Sequence, residues 1–143
     1  MATLLLATLD DTRIAIDAAS IAQVIEVATV VPIPHAPDHI LGLTAVRSQA
    51  ITLVDTRRAL GKPALAHGDA SRAAVVAIDG HSYAFLFERV EDVVETAQPA
   101  GPPPAGMGPA WKRIVTGTAE TPLGPALLID PRALISGNFH AAA

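Results

Sequence analysis

Cysteine is absent from the 143 residues, which excludes a disulfide framework, a thiolate metal site and a thiol nucleophile. Aromatic residues are scarce: three Phe, one Tyr and Trp111. A core must therefore rest on Val, Ile, Leu and Ala, and there is little material for stacking nucleic-acid bases. Positive charge is in deficit, with ten Lys and Arg against fourteen Asp and Glu and a formal charge of −4. That balance supplies no broad positive field for phosphates or anionic lipid, so no nucleic-acid partner is expected. The apolar opening Met1–Leu9 lacks a basic leading region and is broken by Asp10 and Asp11, well short of the ~20 residues that span a bilayer. It reads as a first strand, in a cytoplasmic chain with no direct membrane insertion.

Half of the residues are apolar and 17% are charged, enough for one folded domain over residues 1–143. Short runs rich in β-branched residues alternate with turn signals. Thr3–Leu9 and Arg13–Asp17 flank Asp10-Asp11-Thr12; Ile40–Val46 and Ala50–Val54 flank Arg47-Ser48-Gln49; Ala73–Ile78 and Tyr83–Phe87 bracket an Asp79-Gly80 turn. Each spacing is that of a hairpin. Ala18–Gln23 reads as one or two helical turns before a strand over Val24–Ile33, and Thr56–Leu60 as a turn of helix closed by Gly61. Val90–Glu95 reads as a strand. Gln98–Pro109, with five prolines and three glycines, reads as a loop. Arg113–Thr118 and Ala126–Ile129 form a last strand pair, and Asp130 caps a short helix at Pro131–Ile135. About nine short strands joined by tight turns make the fold class mainly β, and small closed barrels suit them because closure removes exposed edges.

No constellation carries chemistry. His35, Asp38 and His39 invite a metal, but Pro37 breaks their register and no further ligand is suggested, so they read as a solvated loop and no metal is expected. Ser48, Asp55 and a histidine make a hydrolytic triad only on paper, with no nucleophile-elbow sequence. Pro102-Pro103-Pro104 removes the amides that would cradle a phosphate. Glu88, Glu91, Asp92 and Glu95 form an acidic face, with Arg89 as nearby counter-charge, that is a wetted surface or a guide for a basic partner. The expectation is a non-enzyme without cofactors.

The most specific stretch begins at Val24-Ile25-Glu26-Val27, passes Pro34 and Pro37, and runs from Gly42 through Arg47-Ser48 to Leu53-Val54-Asp55-Thr56-Arg57. In this order it resembles the CheW-like coupling proteins of bacterial chemotaxis. Their pattern is a Glu-Val pair, a Pro-containing loop, a Gly opening a strand, an Arg-Gly turn and a Val-Ile-Asp-Leu-Arg ending. The likeness continues through Ala84–Val93, with a Val-Asp-x-Val-x-x-Val type motif, and through Ala126–Leu134.

The resemblance implies two small five-stranded SH3-like β-barrels sharing a hydrophobic seam, with a change of barrel near residues 62–72. It also implies an adaptor that grips chemoreceptor cytoplasmic tips and the regulatory domain of a CheA-type histidine kinase. Such a protein is recruited to membrane receptor arrays through these partners. A related kinase pathway controlling surface motility or biofilm growth is an alternative, and a ligand-binding small barrel a further one. By position, Val24, Glu26, Gly42 and Arg47, with Ser48 beside it, match the receptor-facing groove; kinase-facing residues are not assigned. Arg47 is the expected anchor, because its planar guanidinium can bind carboxylates or amides in bidentate fashion. Three positions depart from the pattern: Ser48 stands where the family has Gly, Thr52 where it often has Pro, and Ala45 where Asn is usual. Serine at positive φ is strained, so either the turn differs or the site has changed its demands.

Overall fold

The computed structural model describes residues 2–27, 29–63, 72–96 and 100–136. The chain order is β1 (Ala2–Leu9), β2 (Thr12–Asp17), a 3₁₀ turn (Ala18–Ser20), β3 (Ile21–Glu26), β4 (Ile40–Val46), β5 (Gln49–Asp55), α1 (Thr56–Ala59), β6 (Arg72–Ile78), β7 (His81–Leu86), β8 (Arg89–Thr96), α2 (Pro109–Ile114), β9 (Val115–Thr121), β10 (Gly124–Ile129) and α3 (Pro131–Ser136). The mainly β expectation holds, as two five-stranded sheets ordered β8-β1-β2-β10-β9 and β3-β6-β7-β5-β4.

Period-two alternation explains why several strands are apolar throughout. In β1, Leu4 and Leu6 face the interior of the first sheet, while Leu5, Ala7 and Leu9 face a core shared by both sheets. The same division recurs in β6 and β7: Ala73, Val75, Ala84 and Leu86 line the second sheet's own interior, and Ala74, Val76, Phe85 and Phe87 join the shared core. The hydrophobic seam expected between two bodies is this shared cluster, with Phe85, Phe87 and Leu9 essentially inaccessible to solvent.

Several local readings need correction. Ala18–Gln23 yields only the 3₁₀ turn, capped by the Asp17 carboxylate accepting from Ala19 N at 3.0 Å, because Ile21 already begins a half-buried strand. β3 ends at Glu26 rather than running to Ile33. Pro109–Ile114 is a helix with proline in its first turn, so the final strand pair begins at Val115 and not Arg113. The change of sheet does not fall near 62–72: β5 and β6, on either side, belong to one sheet because parallel pairing of β5 with β7 joins them. The chain changes sheet at Asp17–Ile21 and at Phe87–Arg89 instead. Most of the polar connector (64–71) and the C-terminal end (137–143) lie outside the described residues.

The two sheets follow one plan. A shift of 75 positions carries Gly42, Leu43, Asp55 and Arg57 onto Gly117, Thr118, Asp130 and Arg132, and a shift of 69 carries Asp10 in the β1–β2 turn onto Asp79 in the β6–β7 turn. Neither sheet closes through a full ladder among the described residues. Among the described residues each is joined edge to edge by a single antiparallel bridge, Val31 to Leu43 in one and Gly101 to Thr118 in the other. In the second sheet, following the registers from Leu43 through Thr52, Tyr83 and Val76 to Ile21 and back through Val31 advances the chain from 21 to 31. That stagger is what tilted strands need in order to curl toward closure.

Candidate functional site

The five receptor-facing candidates lie along the joined edges of the second sheet. Val24 and Glu26 are exposed on edge strand β3, in register with Ala74 and Arg72 of β6. Gly42 sits in edge strand β4, and Arg47 with Ser48 forms the exposed turn between β4 and β5. The Val31–Leu43 bridge has both backbone bonds at 2.8 Å. Continued toward the turn, its register would set 27 opposite 47 and 26 opposite 48, yet no backbone bonds form there among the described residues. Below the bridge the two strands therefore present separate lips of one open seam, with Val24 and Glu26 on one and Arg47 and Ser48 on the other.

Gly42 has a different part from the one its motif suggested. Its φ is +145°, and a Cβ on it would lie 2.2 Å from Val31 O. It is buried and permits the bridge. Gly117 does the same in the first sheet, where a Cβ would meet Gly101 O at 2.6 Å.

Residues missed by the sequence reading complete the seam. Val30, Val31 and Ile33 are exposed, Val31 to 60%, and with Val24 they make up four of the six large exposed apolar residues described. The other two, Val93 and Leu123, occupy the places in the first sheet that Val24 and Ser48 occupy in the second. There the edges are stitched below the bridge by Thr96 Oγ1 donating to Glu120 O at 2.8 Å. The second sheet shows no such side-chain stitch, and its seam is open among the described residues.

A family model for the CheW-like domain matches residues 3–138. The chain belongs to the CheW-like family. The solved structure of the scaffolding protein TtCheW from Thermoanaerobacter tengcongensis is similar in fold, with a TM-score of 0.79 and 20% sequence identity over 90% of this chain and 88% of that one. No curated protein sequence matches.

In this CheW-like chain Arg47 has φ +50° and Ser48 φ +69°, so the turn is of the type that favours Asn-Gly. The serine at the position where the pattern has glycine is held in the left-handed region. Ser48→Gly is therefore expected to raise stability by about 1 kcal/mol, read as a higher urea midpoint with an unchanged slope. A lower midpoint would show that the Ser48 side chain makes a contact worth more than the strain. Arg47 makes no side-chain hydrogen bond or ion pair with the described residues, and Glu26 does not pair with it. The guanidinium is free for a partner.

The acidic face is only partly a wetted surface. Glu88 accepts from Asp10 N at 2.9 Å and Asp11 N at 3.1 Å, two turn residues at positive φ, and binds Arg57 Nη1. Glu91 accepts from Thr8 Oγ1 at 3.1 Å and faces Arg13 at 3.4 Å. Counter-charge thus comes from Arg57 and Arg13, distant in sequence, and not from Arg89. Asp92 and Glu95 remain exposed.

Burial by itself raises the Glu88 pKa, but the Asp11 amide, Arg57 and the Asp10 amide outweigh it and hold the carboxyl below its ordinary value. A carboxyl depressed on folding stabilises the fold above its unfolded pKa, and the contribution is lost as pH falls through the folded one. Glu88→Gln is accordingly expected to be less stable than wild type at pH 7, with the gap shrinking below about pH 4. Urea titrations at both pH values check this, and a gap that persists undiminished in acid would contradict it.

The histidine loop is not simply solvated. His39 is 3% exposed and its Nε2 contacts Ile135 O of α3, while its own carbonyl accepts from Asp55 N at 2.8 Å. Among the described residues no group of three or more His, Asp or Glu is placed to hold a metal. Arg113 donates to Ala133 O at 2.6 Å and Ala59 O at 3.2 Å, tying α2 to α3 and α1 across the shared core.

Proposed function

We propose that this protein is a non-catalytic adaptor that couples chemoreceptor cytoplasmic tips to the regulatory domain of a CheA-type histidine kinase, working in the cytoplasm at membrane receptor arrays. The observation that carries the reading is the open seam of the second sheet. It combines an exposed apolar strip, two strand edges and an unpaired arginine on a member of the CheW-like family. A helical partner can lay apolar side chains on Val24, Val30 and Val31 and offer carboxylates or amides to Arg47. Glu26, exposed on the opposite lip, selects a base on the partner and disfavours an acid there. Ala45 and Thr52 replace bulkier or stiffer residues of the family pattern without disturbing β4 and β5, which keep their pairing through both positions.

Isothermal titration of the purified chain with a receptor-tip fragment, and separately with a kinase regulatory domain, tests the proposal. Saturable binding of both is expected. Binding of neither at concentrations up to ~100 μM, where even a weak transient interface registers, would overturn it.

A further inference from the structure

The plan shared by the two sheets also relates two ion pairs that run in opposite directions between them. α1 follows β5 and α3 follows β10, each opened by a capping aspartate, Asp55 or Asp130, with an arginine two positions on. Arg57, on the helix of the second sheet, reaches Asp10 in the β1–β2 turn of the first at 3.4 Å. Arg132, on the helix of the first sheet, reaches Asp79 in the β6–β7 turn of the second at 3.1 Å. Each sheet's helix holds the other sheet's hairpin.

The two grips are unequal. Arg57 also binds Glu88, at the point where the chain crosses from β7 to β8, and its Nε donates to Pro63 O at 2.9 Å. Glu88 in turn takes the Asp10 and Asp11 amides, and Lys62 lies 3.7 Å from Asp10. The Arg57, Asp10 and Glu88 side chains are 21%, 29% and 18% exposed, whereas Arg132 and Asp79 are 59% and 76% exposed. A pair that open is screened by water and salt and holds little. The half-buried cluster, with several charge-assisted bonds on one carboxylate, holds firmly.

We propose that Arg57, Glu88 and Asp10 form a latch that fixes the two sheets against each other at one end of the shared core, and that Arg132 and Asp79 are its yielding counterpart at the equivalent place. Relative motion of the sheets is then a one-sided opening, hinged at the latch and freest at the Asp79 turn. Because α1 follows directly on β5, the latch also ties the hairpin bearing Arg47 and Ser48 to the first sheet. This holds whichever partner the open seam takes.

The absence of cysteine makes the test direct. Nitroxide labels at Ala77→Cys in β6 and Glu120→Cys in β9, both exposed positions, report the distance between sheets by pulsed electron spin resonance. Arg57→Ala is expected to widen or shift the distance distribution, and Arg132→Ala to leave it as in wild type. Glu88→Gln, which keeps an acceptor but loses the charge, is expected to give a smaller change in the direction of Arg57→Ala. A distribution unchanged by both Arg57→Ala and Glu88→Gln, or changed more by Arg132→Ala, would overturn the latch. Failure of both latch variants to fold would overturn it too, since the cluster would then be a condition of folding and not a tether between formed bodies.

Discussion

Gly42→Ala is expected to lower stability by roughly 2–5 kcal/mol, combining backbone strain with overpacking. Two independent costs meet at this residue. Its φ of +145° is one that L side chains rarely adopt, and an added Cβ would sit 2.2 Å from Val31 O and 2.8 Å from Val31 C. The obstruction is backbone, so no rotamer change relieves it. Relief requires that residues 31–32 move away, which breaks the pair of 2.8 Å bonds joining the sheet edges. The loss therefore extends beyond stability: the open seam loses the bridge at its upper end, and partner binding at Val24 and Arg47 should fall with it. Urea unfolding measures the first effect and titration with a receptor-tip fragment the second. A destabilisation under about 1 kcal/mol, the cost of an ordinary substitution, would show that the bridge is not rigidly required.

Arg47→Ala is expected to leave the fold intact and weaken receptor-tip binding by about 1–3 kcal/mol, or roughly 5- to 150-fold in Kd. The side chain has no partner among the described residues and stands in an exposed turn, so its removal costs the free protein little. All of the change should register in the complex, and Lys should rescue it only in part, because a point charge does not reproduce the planar fork. Kinase regulatory-domain affinity should change far less. Equal affinity of wild type and Arg47→Ala for the receptor tip, measured by titration calorimetry, would remove Arg47 from the interface.

What was legible beforehand follows from the range over which each signal acts. Asp79-Gly80 and Asp10-Asp11 announced hairpins because turn chemistry is local, and the continuous apolar runs of β1 and β6 announced strands. The interleaving of the sheets was not legible. It depends on parallel pairing of β2 with β10, whose partners Ile14 and Leu127 are far apart in sequence. The β-branched Ile114, Val115 and Thr116 drew the last strand pair too early, over a helix that Pro109 had in fact signalled. His39 was read as solvated because the α3 carbonyl that receives it lies 96 positions on. At the candidate site the motif order named residues that fold onto both edges of the second sheet. It gave no sign of the steric part Gly42 plays at the bridge, and it passed over Val30, Val31 and Ile33, whose Pro-interrupted sequence resembled the tail of a strand. Ser48 was recognised as strained in a glycine position, and it is.

As the proposed adaptor, one copy of this protein bridges two different partners through separate outer surfaces. The most direct measurement is sedimentation of the chain with a receptor-tip fragment and a kinase regulatory domain together. A ternary species heavier than either binary complex is expected, with the receptor fragment leaving it when Arg47 is replaced by Ala. Two binary complexes that compete and never combine would contradict it.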